Sequence, residues 1–472
     1  MRHKDRRSER WSGNTKSASD TRSEFRRDRD RLIYSEPFRR LAGITQVVSP
    51  YEGQSLHSRL VHSLKVGQVA RGLADNLLSR YSRRRLLSRS LRISRHLDPD
   101  MSEFAGLAHD IGHPPFGHAA EDELQDIMES HDLDSFEGNA QGFRILTRPT
   151  GHYRDDASRL DFTRGGLQAV LKYPWLREPC HKKAGKKWGA YRVDREMFEW
   201  CCGPAAPLGS WSSVGDLPPR SMEAEIMDWA DDITYAVHDL EDFARLGVIP
   251  IADLLSEGET LIRFSAWLTK KWESKGNANA IEALDEALGC MKKHLPVRSF
   301  KRSSERDVAL SLFTARMVHE CIKGTSLEFR DSVHPWAMRR PDRLNLAVEA
   351  MKELAWYFVI DGAEVRPSQV GQRIMIRTVF EYFYGEARRI ASGLSHAHLP
   401  RSTRISAEIT RNSGLDISPA RIACDAICDL NEMQTSRLYN RLTGATIGQS
   451  DIFGESQEAA SYPAIWGANP GR

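Results

Sequence analysis

The segment LAHDIGHPPFGHAAE, from Leu107 to Glu121, restricts the fold more than any other part of the chain, because Pro114 and Pro115 cannot continue a helix and force a turn between the segments on either side of them. An adjacent His109-Asp110 pair stands before this break, and His113 and His118 flank it. A neutral imidazole next to a carboxylate is a suitable pair of ligands for one divalent cation. The spacing predicts that the next helix begins near Gly117, with His118 and Glu121 three residues apart on one face as an acid/base pair aimed back toward a metal. Packing alone is a poor explanation for so many histidines in so short a stretch.

A metal centre needs more than two ligands, and other regular segments supply candidates. SRLVHSLKVGQVARGLADNLL places apolar residues at Leu60, Val61, Leu64, Val69 and Leu73, a helical period with His62 on or beside the buried stripe. MEAEIMDWADDITYAVHDLEDFARLGV is a second amphipathic helix on which Asp231, Tyr235 and Asp239 recur every four residues. That stripe spans about 12 Å at roughly 1.5 Å per residue, long enough to run from a metal along the sugar of a bound nucleotide. Taken singly these residues have plainer readings. His62 alone reads as a hydrogen-bonded core histidine, Asp231-Asp232 as a solvated helix face and Tyr235 as core packing, so the weight rests on the constellation.

The pattern H…HD…D, carried by HDIGHPPFGH and ADDITYAVHDLED, resembles the HD-domain deoxynucleoside triphosphate triphosphohydrolases, the dGTPase-like family. RDRDRLIYSEPFRRLAGITQV (Arg27 to Val47), SRLVHS (Ser58 to Ser63), FEGNAQGFRIL (Phe136 to Leu146) and LKYPW (Leu171 to Trp175) occur in family order, with a fainter echo near Arg421. The resemblance implies one divalent ion per active site, held by His62, His109, Asp110 and Asp231. Asp231 is preferred to Asp232 because it lies four and eight residues before Tyr235 and Asp239, which by the resemblance lie against the deoxyribose and bind its 3′-hydroxyl. His113 resembles a phosphate-contacting histidine, His118 the catalytic one and Glu121 the carboxylate that orients it. Gln46 and Arg59 resemble substrate contacts, Lys172 and Lys187 phosphate-neutralising lysines, with Lys186 leaving the register open, and Arg421 a phosphate or intersubunit contact. Manganese, magnesium, iron, cobalt and zinc all suit mixed histidine and carboxylate ligation.

The activity this implies is hydrolysis of a dNTP, dGTP first, to deoxynucleoside and inorganic triphosphate, by a homo-oligomer for which single-stranded nucleic acid is a further candidate partner. Two other readings remain at this point. Another HD phosphohydrolase, such as a deoxynucleoside monophosphate phosphatase, would share the four ligands, and a nucleotide-sensing or nucleic-acid-binding HD protein would share the fold. The His118-Glu121 pair argues against the last, since a pure binder needs no oriented proton relay. The chain departs from the family pattern in ARIACDAICDLNEMQTSRLYNRL. Here Leu430, Asn431 and Glu432 stand where the family usually has Met-Thr-Asp, and Ala426 replaces a common tyrosine.

Helical periodicity dominates and strand-like runs are short, so the expected architecture is mainly α: an HD-domain helical fold with a C-terminal helical extension. The expected organisation is a core at 26–250 with a loop-rich insertion at 176–219, a helical region at 251–450 and a tail at 451–472. Residues 1–25 are polar, charged and nearly free of aliphatic side chains, which predicts a disordered basic tail. GKKWGAYRV predicts a small hairpin around Lys186 to Val193. A net charge of +3 is too small to imply nucleic-acid binding by the whole chain, and the basic run from Ser79 to Arg95 lacks the interleaved aromatics of a stacking platform. Seven cysteines without paired spacing fit a reducing compartment and incidental or buried thiols, including Cys201-Cys202 and the Cys424/Cys428 pair. No apolar run is long enough to span a bilayer and none comes after the N-terminal arginines as in a secretory signal, so no membrane association and a cytoplasmic location are expected.

Overall fold

The helix Arg59–Tyr81 buries Val66, Val69, Ala70, Leu73 and Leu77 along one stripe. It crosses the helix Pro99–Ala108 where two glycines meet. A Cβ added to Gly106 would lie 2.8 Å from the Gly67 Cα, and one added to Gly67 would lie 2.9 Å from the Leu107 Cγ. Backbones approach this closely only where side chains are absent. The crossing sets the imidazoles of His62 and His109, which flank it, 5.3 Å apart between ring centroids. Pro99–Ala108 is itself started by the Asp98 carboxylate, which accepts from the Asp100 and Met101 amides, with Pro99 in the first turn.

This computed structural model describes residues 6–46, 58–81, 93–149, 160–178, 183–203, 220–256, 258–276, 278–295, 303–329, 336–360, 365–394, 398–412 and 418–445. Among them the fold is mainly α, with eighteen α-helices and one two-stranded antiparallel sheet that pairs Ser326–Phe329 with Trp336–Arg339, Ser326 opposite Arg339. No helix among the described residues is long and apolar enough to cross a membrane. The described cysteines are free, four of them buried.

Two apolar cores divide the helices. The first joins Arg59–Tyr81 and Met222–Arg245 to Glu259–Ser274, Ala280–His294, Ser303–Gly324 and Asp342–Ala355. The second joins Glu24–Tyr34, Pro99–Ala108, His118–Ser130 and Gly138–Thr147 to Val365–Ala391 and Pro419–Ile427. The region after residue 250 is therefore not one appended layer. Its first part extends the first core, and from Val365 the chain returns to cover the second. Side chains such as Phe104, Phe143 and Phe380 are fully buried there, each worth about 1.5–3 kcal/mol in transfer.

Two local expectations differ from the structure. Residues 6–23 do not form a disordered tail. The Arg10 guanidinium is buried and bonds to Glu24, Asp28 and the Asp161 carbonyl, while Trp11 meets Trp200 edge to face. A polar composition hides such a segment, because its anchor is an ion-pair hub rather than an apolar stripe. The segment Lys186–Val193 does not form a hairpin. Trp175, Ala184, Trp188 and Tyr191 cluster instead, and the Trp175 indole donates to the Lys187 carbonyl at 2.7 Å, which coils the chain around a ring. The sheet lies elsewhere, at the hairpin after Ser303–Gly324. The tail 451–472, residues 204–219 of the insertion and 82–92 of the basic run lie outside the described residues.

Candidate metal centre and acid/base site

Three of the four residues expected around a cation converge: one ligand atom each from His62, His109 and Asp231 lies within 4.8 Å of the others. His62 Nε2 is 3.1 Å from Asp231 Oδ1, and His109 Nε2 is 3.5 Å from the same oxygen. The His109 Nδ1–H donates to the Gly106 carbonyl at 2.7 Å, which turns Nε2 inward toward Asp231. That Nε2 is buried and has no hydrogen-bond partner. A buried bare imidazole nitrogen beside a carboxylate is the donor set a divalent cation takes, so the residues fit such an ion. Burial alone would raise the Asp231 carboxyl, but His109, His62 and the Lys172 ammonium hold it well below the usual carboxylate range. Asp232 faces other partners. Arg340 Nη1 bonds it at 2.7 Å and Lys352 Nζ at 2.5 Å, so the two adjacent acids have different surroundings.

Asp110 stands at the edge of this group. Its Oδ1 is 3.4 Å from His109 Nε2 and 2.9 Å from His113 Nε2, and its Oδ2 accepts from Arg59 Nη1 at 2.7 Å. His113 in turn reaches Glu121 Oε1 through Nδ1, while His118 Nδ1 lies 3.1 Å from Glu121 Oε2. The result is a continuous chain, His118–Glu121–His113–Asp110. Burial and Arg59 push the His113 imidazole down, yet Glu121 and Asp110 carry it up to about 9, so both of its nitrogens hold protons at neutral pH. Burial opposes ionisation of Glu121, but His113 and His118 hold its carboxyl well below the usual range. His118 is the exposed end, with 72% of its side chain open to solvent. Its helix starts after a tight turn in which Phe116 has φ 68°, a left-handed conformation that costs a non-glycine residue roughly 1–2 kcal/mol.

The Met222–Arg245 helix carries the remaining stripe. Tyr235 is half-buried with the Lys352 ammonium 6.0 Å from its ring centre. Asp239 is buried, and its Oδ2 has no hydrogen-bond partner. Burial, with Asp242 and Asp231 nearby, raises the Asp239 carboxyl well above its ordinary value against the pull of Lys65. An orphaned buried carboxylate oxygen costs about 1–3 kcal/mol or more unless a ligand satisfies it. Lys172 Nζ sits 2.6 Å from Asp228 and 3.8 Å from Asp231, and Lys187 Nζ 3.1 Å from Glu137. Gln46 Oε1 is a second buried acceptor without a partner. Arg421 does not join this group within the chain. It stacks on the Tyr191 ring at 3.7 Å and donates to the Asp134 carbonyl, lining a separate pocket of about 210 Å³ with Arg192 and Ser418. The reason is that its helix is anchored elsewhere, by Asp425 on Arg144.

Several residues around the site were given no role by the sequence, although Arg40 lies in the segment Arg27 to Val47 and Glu432 stands at the Asp position of the family's Met-Thr-Asp. Arg340 and Lys352 hold Asp232, and Arg340 also bonds Asp228 at 2.9 Å. Arg40 donates to the carbonyls of Ile111 and His113, and Glu432 accepts from the amides of Thr45 and Phe116. Glu137 was legible only as part of the FEGNAQGF segment. The others lie scores to hundreds of residues from what they touch, where no local period records them.

The HD domain profile matches residues 59–143, the span from the His62 helix to the helix after Glu121. A deoxyguanosinetriphosphate triphosphohydrolase-like protein of Corynebacterium glutamicum strain R is 34% identical over 381 residues, covering 78% of this chain and 81% of the relative. Its counterpart in Corynebacterium efficiens is 33% identical and covers 91% of this chain and 93% of the relative. One from Streptomyces coelicolor is 31% identical, with 90% and 93% covered.

Proposed function

This chain belongs to the deoxyguanosinetriphosphate triphosphohydrolase-like family, and we propose that it hydrolyses a deoxynucleoside triphosphate, dGTP first, at the α-phosphorus to deoxynucleoside and intact triphosphate. The observation that carries this reading is the junction of two devices in one place. A three-residue ligand cluster of His62, His109 and Asp231 is joined through Asp110 to the His118–Glu121–His113 chain. A divalent ion bound there supplies positive charge to a phosphate oxygen and lowers the pKa of water. His62, His109 and Asp231 would hold it, with Asp110, 3.4 Å from His109 Nε2, as the fourth candidate ligand.

The chain's own residues do the rest. Glu121 accepts the Nδ1 proton of His118 and fixes its tautomer, which leaves Nε2 facing outward to give a proton to the departing oxygen or take one from water. His113, which reaches Glu121 through Nδ1 and Asp110 through Nε2, ties the proton relay to the ligand cluster and is the candidate phosphate contact. Arg59, Lys172 and Lys187 answer the remaining triphosphate charge, and Gln46 offers its unpartnered oxygen to the substrate. Tyr235 lies along the sugar and leaves no room for a 2′-hydroxyl. Asp239 accepts the 3′-hydroxyl on its unpartnered oxygen. Arg421, buried against Tyr191 and apart from this group, is left as a phosphate or an intersubunit contact in a homo-oligomer. The location is cytoplasmic, where dNTPs are made.

The test is product identity. Purified protein is incubated with each dNTP, with GTP and with dGMP under manganese, magnesium, cobalt, iron and zinc in turn, and products are separated by ion-exchange chromatography. Triphosphate and deoxynucleoside in equal amounts are expected. Phosphate released from a deoxynucleoside monophosphate and none of the triphosphate from dGTP would point to a phosphatase, and binding without turnover to a sensor.

A further inference from the structure

We propose that Glu432 is a positioning residue for this reaction, resting on the function proposed above: from the first turn of the C-terminal helix Glu432–Thr443 it holds the segments that carry Gln46, Arg59 and His118 in one arrangement. Its carboxylate is buried and makes three bonds. Oε1 accepts from the Thr45 amide at 2.7 Å and from the Phe116 amide at 3.1 Å, and Oε2 accepts from the Thr45 hydroxyl at 2.7 Å.

Each partner leads directly to the site. Thr45 precedes Gln46 and forms an isolated bridge with Ser58, while the Arg59 amide donates to the Ile44 carbonyl at 3.0 Å, so Thr45 sets where the Arg59–Tyr81 helix starts. Phe116 has the left-handed backbone two residues before His118. Its amide has to be satisfied in that conformation, and a buried carboxylate is the stronger kind of acceptor. Arg40 reinforces the same junction, donating to the Ile111 and His113 carbonyls on one side and to the Leu430 carbonyl at 3.0 Å on the other. Glu432 touches none of His62, His109 and Asp231. His62 lies in the helix that Thr45 starts, but its spacing to His109 is set by the Gly67–Gly106 crossing further along, so the action of Glu432 falls on the acid/base and substrate side of the site.

The experiment uses the full chain as wild type, Glu432→Ala, Glu432→Gln and Thr45→Val, loaded with manganese and assayed with dGTP. Bound manganese is counted by mass spectrometry, and amide hydrogen exchange is measured at Thr45 and Phe116. Glu432→Ala is expected to keep wild-type manganese, to exchange faster at both amides and to lose about 10- to 100-fold in kcat, the cost of a misplaced proton donor. Glu432→Gln keeps the shape, accepts both amides on its carbonyl oxygen and donates to the Thr45 hydroxyl, so it is expected within about fivefold of wild type. Thr45→Val, which removes only the hydroxyl contact, is expected to raise KM more than it lowers kcat.

Any of three results for Glu432→Ala overturns the proposal: kcat within twofold of wild type, unchanged exchange at Phe116, or loss of manganese along with activity, which marks general collapse. Should Glu432→Ala not fold, wild-type KM, kcat and exchange in both Glu432→Gln and Thr45→Val overturn it equally. If the wild type itself does not cleave dGTP, the functional reading has failed, and the exchange data still decide whether Glu432 holds the two segments.

Discussion

The two ends of the loop between His109 and His118 are held by different means. At the His109 end the supports are helices packed through their own apolar stripes, and a glycine crossing fixes the distance between His62 and His109. At the His118 end a left-handed turn is held by polar side chains from distant parts of the chain, Arg40 before it and Glu432 after it. The spacing of the candidate ligands thus comes from how helices cross, whereas the place of His118 comes from how the C-terminal region docks. One end is buried and rigid by packing. The other is open to solvent and tunable.

The largest expected effect breaks the first end. Asp231→Ala removes a ligand from the His62–His109 cluster, and both retained metal and hydrolysis are expected to fall to background. Asp232→Ala loosens Arg340 and Lys352 instead, and the protein is expected to keep its ion. Metal counted after gel filtration separates them. Equal metal loss in the two variants would erase the distinction between these adjacent acids.

Next in size is the second end. His118→Ala is expected to cut kcat by roughly 10²- to 10⁴-fold while metal content and dNTP binding persist, since the change deletes a proton relay and leaves the cation in place. Turnover near wild type at saturating dGTP would move the proton transfers to His113 or to solvent.

The same contrast explains what the sequence made legible. His62 and Asp231 sit on periodic helices and His109 caps the end of Pro99–Ala108, but period left each of them a plainer reading, and it was the H…HD…D resemblance that grouped them. Glu121 was readable from its three-residue spacing to His118, but its second partner His113 was not, because the Pro114-Pro115 turn folds that ring back onto the helix it precedes. Arg40 and Glu432 both fall in segments that resemble the family, but they act on backbone groups far along the chain, so their partners were not readable. Arg10 was missed for a related reason: a buried guanidinium with carboxylate partners looks, in composition, like a solvated one. The two-core division was also hidden, since the return of Val365–Ala391 to the second core is a matter of topology and not of period.

Along the stripe of Tyr235 and Asp239, proposed to face the sugar, the expected effects are smaller and selective. Asp239→Ala is expected to weaken use of every substrate with a 3′-hydroxyl by roughly 1–3 kcal/mol in kcat/KM and to leave a 2′,3′-dideoxy substrate nearly unchanged. Tyr235→Ala is expected to narrow the preference for dNTP over NTP. Comparing dGTP, GTP and ddGTP in both variants decides it. Equal slowing of dGTP and ddGTP by Asp239→Ala would mean that the unpartnered oxygen meets something other than the 3′-hydroxyl.

The smallest effect lies on His113, the link between the two ends, and it shows as a pH dependence of stability in metal-stripped protein. Folding raises this imidazole from its ordinary 6.5 to about 9, because the attraction of Glu121 and Asp110 outweighs burial and Arg59. A raised value means that the folded state binds the proton more tightly than the unfolded one. The stabilisation is therefore fully present below about pH 6.5 and is lost as pH rises through about 9. Melting temperature in EDTA is expected to fall by on the order of a few degrees between pH 6.5 and 9.5, and His113→Gln, which titrates nowhere in that window, is expected to flatten the slope. Restoring manganese is expected to shrink the wild-type slope as well, because the ion gives Asp110 a positive partner in place of the imidazolium. An unchanged slope in His113→Gln would show that His113 is not charged between its two carboxylates, and that the two ends of the loop are not linked through it.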